Sequence, residues 1–217
     1  VLTFKQLIDS GNEHENTQNY SAAIDNYTAA IRLEPNNMLA YFLRANAYHN
    51  TGNYPSAKRD YDVVIQTDKN YHNAHWHRAK SHYAMENYSQ AVTDYSSAIE
   101  RNRRCFECYY QRAQVHQKLG NLTQSIQDYT ATLEDPIFEF SASTYIQRGL
   151  AYHDLGNYAQ ATKDFNTAIE KEPSNVSALA TASINRGWSQ HYLENYSLAV
   201  QYQTDALSLS PNNPEAY

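Results

Sequence analysis

A Cys-Phe-Glu-Cys motif at residues 105–108 is the first place in this sequence where the residue types could do chemistry. Two cysteines at this spacing form a redox pair near a βαβ unit, and two such motifs together form a zinc site. Here the motif stands alone in 217 residues, and no strand is expected around it. We therefore interpret Cys105 and Cys108 as structural or incidental. The alternative is a redox or metal site.

A histidine cluster lies upstream, and its imidazoles could bind a metal ion if they converged. It consists of His72, His75, His77 and His82. His75 and His82 occupy positions that Tyr41 and Tyr48 hold earlier in the chain at the same spacing, so we expect packing substitutes and no metal site. The sequence also shows no Gly-rich phosphate loop, nucleophile elbow or paired carboxylates, so we expect neither catalysis nor a cofactor.

The composition argues against several other function classes. With 17 Lys and Arg against 23 Asp and Glu, the formal net charge is −6, which disfavours binding to nucleic-acid phosphates. No stretch reaches the roughly 18 uncharged apolar residues that a membrane span needs. The first residues lack an initiator Met and a signal-peptide pattern, so we expect a soluble, cytoplasmic fragment of a longer protein. The 41% hydrophobic content includes 20 tyrosines, which favours a thin, extended architecture.

An internal repeat of about 34 residues organises the chain. An aromatic or aliphatic residue recurs once per unit, evenly at first and at slightly longer intervals after the fourth, at Tyr20, Tyr54, Tyr88, Leu122, Tyr158 and Tyr196. Small residues and a second aromatic follow at fixed offsets, such as Ala23 and Tyr27 in the first unit. Apolar residues at i, i+3, i+4 and i+7 form one helical stripe per segment, which predicts two helices per unit that must stack on their neighbours.

These residues resemble the tetratricopeptide repeat family, whose helix-turn-helix unit of about 34 residues carries small residues, Tyr or Phe and a closing Pro at these offsets. The resemblance implies an all-α, right-handed superhelical solenoid of about twelve helices. We assign a single tetratricopeptide domain to residues 1–217, with repeats at 4–37, 38–71, 72–105, 106–139, 142–175 and 180–213 and the start of a further repeat at 214–217. The Pro-containing segment 134–140 predicts an altered loop, and the insertion at 176–179 predicts a longer first helix in the sixth repeat.

Arginine and aspartate recur at linked positions of the repeat. The arginines are Arg44, Arg78, Arg112, Arg148 and Arg186, and the aspartates that follow the first four of them at one constant spacing are Asp60, Asp94, Asp128 and Asp164. The first repeat has Ser10 and Asn26 instead, so both members are lost together. Because a guanidinium matches a carboxylate bidentately, we predict Arg–Asp pairs within a repeat or between neighbouring repeats, with ligand-binding arginines as the alternative.

The family resemblance implies a peptide-binding groove on the concave face, lined by the first helix of each repeat. By that resemblance the groove residues are Asn12, Phe42, Asn46, His49, Trp76, Lys80, Tyr83, Tyr110, Gln114, Leu150, Trp188 and Tyr192, with Ile8, Ile146 and Ile184 projecting beside them. The strip is aromatic with few charges, which favours desolvated anchor contacts over charge recognition. Some of these rings could instead pack against the neighbouring repeat.

One subclass of the family clamps the carboxylate of chaperone C-terminal tails with Lys, Asn and Arg. The matching positions here are Ile8, Asn12, Leu43, Asn73 and His77, so only Asn12 is retained and we expect no binding of acidic chaperone tails. We predict a non-catalytic scaffold that binds a peptide or protein segment in the groove, without nucleic acid or membrane. The alternatives are a substrate-recruiting arm of a larger enzyme and a module that self-associates through its C-terminal end near Tyr217.

Overall fold

The computed structural model describes residues 2–135, 141–172 and 174–209. Over these residues the chain forms twelve α-helices and no strand. The helices are α1 (Phe4–Asn16), α2 (Tyr20–Leu33), α3 (Met38–Asn50), α4 (Tyr54–Thr67), α5 (His72–Ala84), α6 (Tyr88–Arg101), α7 (Phe106–Lys118), α8 (Leu122–Thr132), α9 (Ser141–Asp154), α10 (Tyr158–Lys171), α11 (Val176–Tyr192) and α12 (Tyr196–Leu209).

The second helix of every pair begins at the recurring aromatic or leucine found in the sequence, from Tyr20 to Tyr196. The insertion before the sixth repeat lengthens its first helix as predicted, because α11 has 17 residues where α1, α3, α5 and α7 have 13. The altered loop expected at 134–140 lies mainly outside the described residues. The two-helix interpretation of the repeat is therefore confirmed.

A left-handed residue closes the turn inside each helix pair, two positions before the second helix begins. Glycine holds this position in three turns, with φ of 77° at Gly52, 73° at Gly120 and 80° at Gly156. The other three turns place a side chain there, at Gln18, Glu86 and Glu194, with φ of 59° to 62°. A residue with a Cβ adopts this conformation at a cost of roughly 1–2 kcal/mol, so these three turns are strained.

One aromatic ring per pair fills the space between its two helices in the first five repeats. These rings are almost completely buried and belong to Tyr27, Tyr61, Tyr95, Tyr129 and Phe165. Gly11 faces the ring of Tyr27, Ala45 packs in one apolar cluster with Tyr61, and at Gly149 an added Cβ would lie 2.7 Å from the ring of Phe165. The small residues thus allow the close helix approach that the sequence pattern predicts.

The chain divides within α7 into two compact units, an N-terminal unit (Val1–Cys108) and a C-terminal unit (Tyr109–Tyr217). In the N-terminal unit, the helices α1 to α6 pack in chain order, each of α1 to α5 against the helix that follows it. In the C-terminal unit, α8 to α12 do the same. The stacking within the N-terminal unit brings the first helices of three repeats side by side.

The predicted Arg–Asp pairs form inside single repeats. In the second repeat Arg44 Nε lies 2.7 Å from Asp60 Oδ2 and its Nη2 lies 2.9 Å from Oδ1, and the same fork joins Arg78 to Asp94. The remaining pairs with this geometry are Arg112–Asp128 and Arg148–Asp164. Because the aspartates are nearly inaccessible to water, the forks connect the two helices of each pair in a poorly solvated environment.

A third hydrogen bond from some of these arginines reaches the preceding repeat. Arg78 Nη1 donates to Asp62 Oδ1 over 2.7 Å, and Arg44 Nη1 donates to the hydroxyl of Thr28 over 3.1 Å. The carboxylate fork therefore lies within one repeat, and the third donor of the arginine joins that repeat to the preceding one. Arg186 differs, because residue 202 is Tyr202 and the guanidinium lies 3.6 Å from its ring centroid.

Candidate functional site

A small polar cleft opens on the N-terminal unit where the first helices of the first three repeats face one another. It has a cavity volume of about 190 Å³ and is lined by Glu15 of α1, Asn46, His49 and Asn50 of α3, Tyr61 of α4, and His77 and Lys80 of α5. Three of these, Asn46, His49 and Lys80, are among the groove residues expected from the sequence. The cleft is large enough for about one amino-acid side chain.

The floor of this cleft is tied to the protein core through a tyrosine hydroxyl. Tyr61 is fully buried, and its hydroxyl donates to Asn46 Oδ1 over 2.7 Å. Burial, with a smaller effect from Glu15, raises the pKa of Tyr61 far above its usual value, so the hydroxyl stays protonated and remains a donor. Because Oδ1 is used in this bond, the Asn46 carboxamide keeps its Nδ2 as a hydrogen-bond donor for other partners.

The first repeat has the same arrangement with one additional acceptor. The hydroxyl of Tyr27 lies 2.8 Å from Asn12 Oδ1 and 3.0 Å from Glu15 Oε2. In the fifth repeat both members are apolar, because Phe165 replaces the tyrosine and Leu150 occupies the position of the asparagine. The third and fourth repeats keep the core ring as Tyr95 and Tyr129 but have Lys80 and Gln114 at the asparagine position, so the bonded Tyr–Asn pair belongs to the first two repeats.

An aromatic wall stands beside the cleft. The ring of Phe42 makes edge contacts with Tyr71 and His77, at centroid distances of 5.2 and 5.4 Å. His77 in turn lies 4.7 Å from the indole of Trp76, and Lys80 Nζ lies 5.4 Å from the centroid of that indole. Phe42 and Trp76 are both half-buried, so neighbouring rings hold them in place while part of each ring faces solvent.

The charges at the cleft come from one carboxylate and one ammonium group. Burial and then the nearby Lys80 lower the pKa of His77 from 6.5 to about 4, and the same two causes lower the pKa of His49. Both imidazoles are therefore neutral at pH 7. The ring of His49 is further held by Ser81, whose Oγ lies 2.9 Å from its Nδ1. Glu15 and Lys80 are left as the charged groups of the lining.

We refer to the set Asn12, Glu15, Phe42, Asn46, His49, Trp76, His77, Lys80 and Tyr83 as the N-terminal groove. Its last member, Tyr83, packs against Tyr88 at a centroid distance of 5.6 Å. Sequence reasoning missed Glu15 and assigned His77 to the histidine cluster. A signal for Glu15 exists, because it occupies the repeat position that His49 and Tyr83 hold in the second and third repeats.

The remaining candidate groove residues belong to the C-terminal unit. Tyr110 contacts the core ring of Tyr129 at 5.6 Å, and Gln114 and Leu150 are half-buried. Tyr192 is 54% exposed and stacks on Tyr158 at 4.7 Å with the two rings nearly parallel. Trp188, 41% exposed, lines a separate cleft of about 330 Å³ between α11 and α12.

Three residues expected to project into the groove do not. Ile8, Ile146 and Ile184 are 7%, 6% and 2% exposed, because each packs in the apolar core of its own unit. The expectation for these three positions is wrong. Since each lies one helical turn from a groove position on a narrow stripe, spacing alone did not separate the two faces.

The four clustered histidines have separate surroundings. His72 Nε2 lies 3.2 Å from the Asn102 amide, and His77 belongs to the N-terminal groove. His75 and His82 are buried beside Asp94, at 3.9 and 3.8 Å from its carboxylate oxygens. Within residues 2–135, 141–172 and 174–209, no group of three or more His, Cys, Asp or Glu side chains could hold a metal ion.

The cysteines of the CxxC motif form a disulfide, with their Cα atoms 5.2 Å apart. Cys105 is partly exposed, whereas Cys108 is completely buried at the start of α7.

In the described part of the chain, no helix has the length and apolar character needed to cross a membrane.

Comparison with protein families agrees with the repeat pattern. A profile described as TPR repeat matches residues 11–52, and profiles described as tetratricopeptide repeat match residues 39–71, 78–139, 142–175 and 180–213. The chain belongs to the tetratricopeptide repeat family. Members of this family are generally non-catalytic interaction modules, and the all-α repeat fold implied by the resemblance is confirmed.

A curated relative matches only a short part of this tetratricopeptide chain. The human small glutamine-rich tetratricopeptide repeat-containing protein beta is 55% identical over 42 residues. The matched segment covers 19% of this chain and 14% of that protein, and the rat and mouse proteins of the same name match equally. The relative thus has one closely similar repeat region.

Solved tetratricopeptide structures match most of the chain. The structure of YrrB, titled a TPR protein with an unusual peptide-binding site, has a TM-score of 0.76 at 20% identity and covers 88% of this chain and 95% of its own. The C-terminal part of a TPR repeat-containing protein from Cytophaga hutchinsonii has a TM-score of 0.80 at 17% identity, covering 93% and 78%. The first TPR of Spaghetti (RPAP3), bound to the HSP90 peptide SRMEEVD, has a TM-score of 0.53 at 24% identity, covering 54% and 94%. At these identities the similarity shows the fold.

Proposed function

We infer that this chain is a protein-interaction scaffold whose N-terminal groove binds an extended peptide segment. The observation that carries this proposal is the pairing of a fixed carboxamide with an aromatic wall. Asn46 is held by the buried hydroxyl of Tyr61, and Phe42 and Trp76 stand beside it with part of each ring exposed. The peptide-binding neighbours among solved tetratricopeptide structures support the same function.

Binding would use two kinds of contact. Nδ2 of Asn46 and of Asn12 would donate to main-chain carbonyls of the peptide, which are acceptors in every sequence. An aromatic or aliphatic side chain of the peptide would pack against Phe42 and Trp76, where desolvated anchors carry most of the binding energy. Because neighbouring rings already hold these side chains, the peptide alone would lose much conformational freedom.

The charges of the groove favour an uncharged anchor over an acidic tail. Lys80 is its one ammonium group, and Glu15 lines the same cleft and would repel an incoming carboxylate. Of the positions matching the chaperone-tail clamp, Ile8 is buried and His77 is neutral. We therefore propose that a peptide such as SRMEEVD, bound by the Spaghetti repeat, is not a ligand here.

A test of this function starts from a displayed library of random peptides selected on the whole chain. The affinity of a selected peptide for the wild type would be compared with that of Phe42→Ala/Trp76→Ala. We expect a loss of at least about tenfold, since truncating an anchor typically costs over 1 kcal/mol. Leu33→Ala is the matched control, because Leu33 is 48% exposed at the end of α2 outside the groove. Equal affinity in the folded double variant would reject the groove as the site.

Self-association is the second candidate function, and exposed apolar residues of α12 favour it. Tyr196, Leu198 and Val200 are 57%, 39% and 67% exposed, and Val200 lines the 330 Å³ cleft with Trp188. Large exposed apolar groups of this kind often mark protein contacts. Sedimentation of the wild type and of Val200→Lys over a range of concentrations would test it. If the chain self-associates through α12, the apparent molecular mass of the wild type rises with concentration, whereas that of Val200→Lys stays at the monomer value.

A further inference from the structure

We propose that Cys105 and Cys108 form a redox-active dithiol–disulfide pair that exchanges with low-molecular-weight thiols through the sulfur of Cys105. The two cysteines, the whole cysteine content of the chain, are already joined in the structure. Their Cα separation of 5.2 Å falls within the range that disulfides accept without backbone movement. The proposal is independent of peptide binding in the N-terminal groove.

The two sulfurs differ in their access to solvent. Cys105 lies just before α7 and is partly exposed, whereas Cys108 is completely buried in the first turn of that helix. The position of Cys108 is held by alanine in other repeats, as at Ala40 and Ala74, both also fully buried. An incoming thiolate can therefore reach Cys105 more easily than its partner.

The repeat itself shows what a reduced Cys105 would contact. The equivalent residue before the first helix is Asn37 in the second repeat, whose side chain accepts the N–H of Leu39 over 3.1 Å. Thr3 and Asn175 cap α1 and α11 in the same way. The thiolate of Cys105 would occupy this capping position, where the unpaired N–H groups and the helix dipole favour negative charge.

Charged groups around the motif add to this preference. Arg103 and Arg104 are exposed and lie within two residues of Cys105, while Arg101 is held away by hydrogen bonds to the carbonyls of Lys69 and Ser97. Glu107 is the opposing charge in the first turn of α7. With two arginines against one glutamate, the local field favours the thiolate, which is the reactive form of cysteine.

The surrounding turn has supports that do not depend on the disulfide. The Cys105 N–H donates to the Asn102 carbonyl over 3.0 Å, and the Arg104 N–H donates to Asn102 Oδ1 over 3.1 Å. The disulfide joins residues only three apart, so the chain-entropy model assigns it a small stabilising effect. We therefore expect the fold to tolerate both the oxidised and the reduced state.

The exchange proceeds in two balanced steps. A thiolate RS⁻ attacks Sγ of Cys105, the S–S bond breaks, and Cys108 leaves as a thiolate that takes up a proton. A second RS⁻ attacks the sulfur of R in this mixed disulfide, which releases the Cys105 thiolate and forms RSSR. The protein disulfide gains two electrons, two small thiols lose them, and reversal with RSSR as oxidant restores the disulfide.

The first experiment equilibrates the whole chain with reduced and oxidised glutathione in varied ratios, followed by acid quenching, alkylation and mass spectrometry. We expect a single two-electron transition between the fully oxidised and the fully reduced pair within the ratios that this buffer covers. Circular dichroism is recorded on both end states. A disulfide that stays oxidised in about 10 mM reduced glutathione, or one whose reduction unfolds the helices, would overturn the proposal and indicate a structural bond.

The second experiment tests which sulfur reacts. Cys108→Ala places the residue of other repeats at the buried position, and Cys105→Asn places the capping residue of the second repeat before α7. With oxidised glutathione at pH 7, the Cys108→Ala variant should form the mixed disulfide at least about tenfold faster than Cys105→Asn. Equal rates, or faster reaction in Cys105→Asn, would contradict the assignment of Cys105 as the sulfur through which the pair exchanges.

Discussion

The hydrogen bond between Tyr61 and Asn46 can be measured by a double-mutant cycle, and its magnitude follows from the burial of each partner. Tyr61→Phe removes the donor but leaves Asn46 partly exposed to water, so we expect a loss of about 1 kcal/mol in the free energy of unfolding. Asn46→Leu leaves a completely buried hydroxyl without this acceptor, which should cost about 2 kcal/mol.

The double variant Tyr61→Phe/Asn46→Leu should be less destabilised than the sum of the two changes. It leaves neither partner with an unmade bond, and it reproduces the pair Phe165 and Leu150 of the fifth repeat. We expect a total loss of about 1 kcal/mol, hence a coupling free energy of about 2 kcal/mol. Urea unfolding followed by far-UV circular dichroism supplies the four free energies.

The control makes the same two types of substitution, Tyr to Phe and Asn to Leu, at two residues that do not bond to each other. It combines Tyr61→Phe with Asn12→Leu, because Asn12 accepts its hydrogen bond from Tyr27 and not from Tyr61. These two changes should add to within about 0.5 kcal/mol. If the Tyr61/Asn46 pair were equally additive, the hydroxyl would not be what fixes the carboxamide, and the groove would lose the feature on which the proposed function rests.

Two further predictions concern the framework of the repeats, and a third concerns His77 of the N-terminal groove. Arg78→Met leaves the carboxylate of Asp94 buried without its fork, so the free energy of unfolding in urea should fall by about 3–5 kcal/mol; Arg186→Met, which breaks no such fork, should cost clearly less. Glu86→Gly relieves a left-handed backbone and should raise the unfolding free energy by about 1 kcal/mol, and an unchanged urea midpoint would argue against strain there. The neutral state of His77 is favoured by folding, since its pKa falls from 6.5 to about 4, so it contributes stability above pH 6.5 that is lost as the pH falls towards 4. His77→Gln should therefore reduce the loss of stability between pH 7 and pH 5 by about 2 kcal/mol, and identical pH profiles would contradict this.

The helix order could be predicted because each determinant is local. The aromatic at the start of each second helix, the small residue facing the core ring and the extra turn of α11 all follow from spacing within one repeat. The Arg–Asp pairs were predictable for a related reason, since Arg44 and Asp60 recur together or are absent together. Because the pattern recurs in several repeats, the sequence indicates each of these features more than once.

The cleft was harder to predict because it depends on contacts between repeats. Glu15, Asn46 and Lys80 come from three different helices, and their distance is set by how the pairs stack. The sequence also could not distinguish Ile8 from Asn12, since both lie along the first helix and only packing shows which one is buried. The role of Tyr61 depends on the fate of one hydroxyl proton, which residue type alone does not specify.

The chemistry of the groove and the chemistry of the core are linked through one repeat position. Where the core ring is a tyrosine with an asparagine opposite, as in Tyr61 and Asn46, the buried hydroxyl can orient a carboxamide towards a ligand. Where the ring is Phe165, no such donor exists, and Leu150 occupies the position of the asparagine. A substitution of Tyr61 in the core can thus change the orientation of Asn46 in the groove without moving a helix, and the proposed function makes that orientation part of peptide binding.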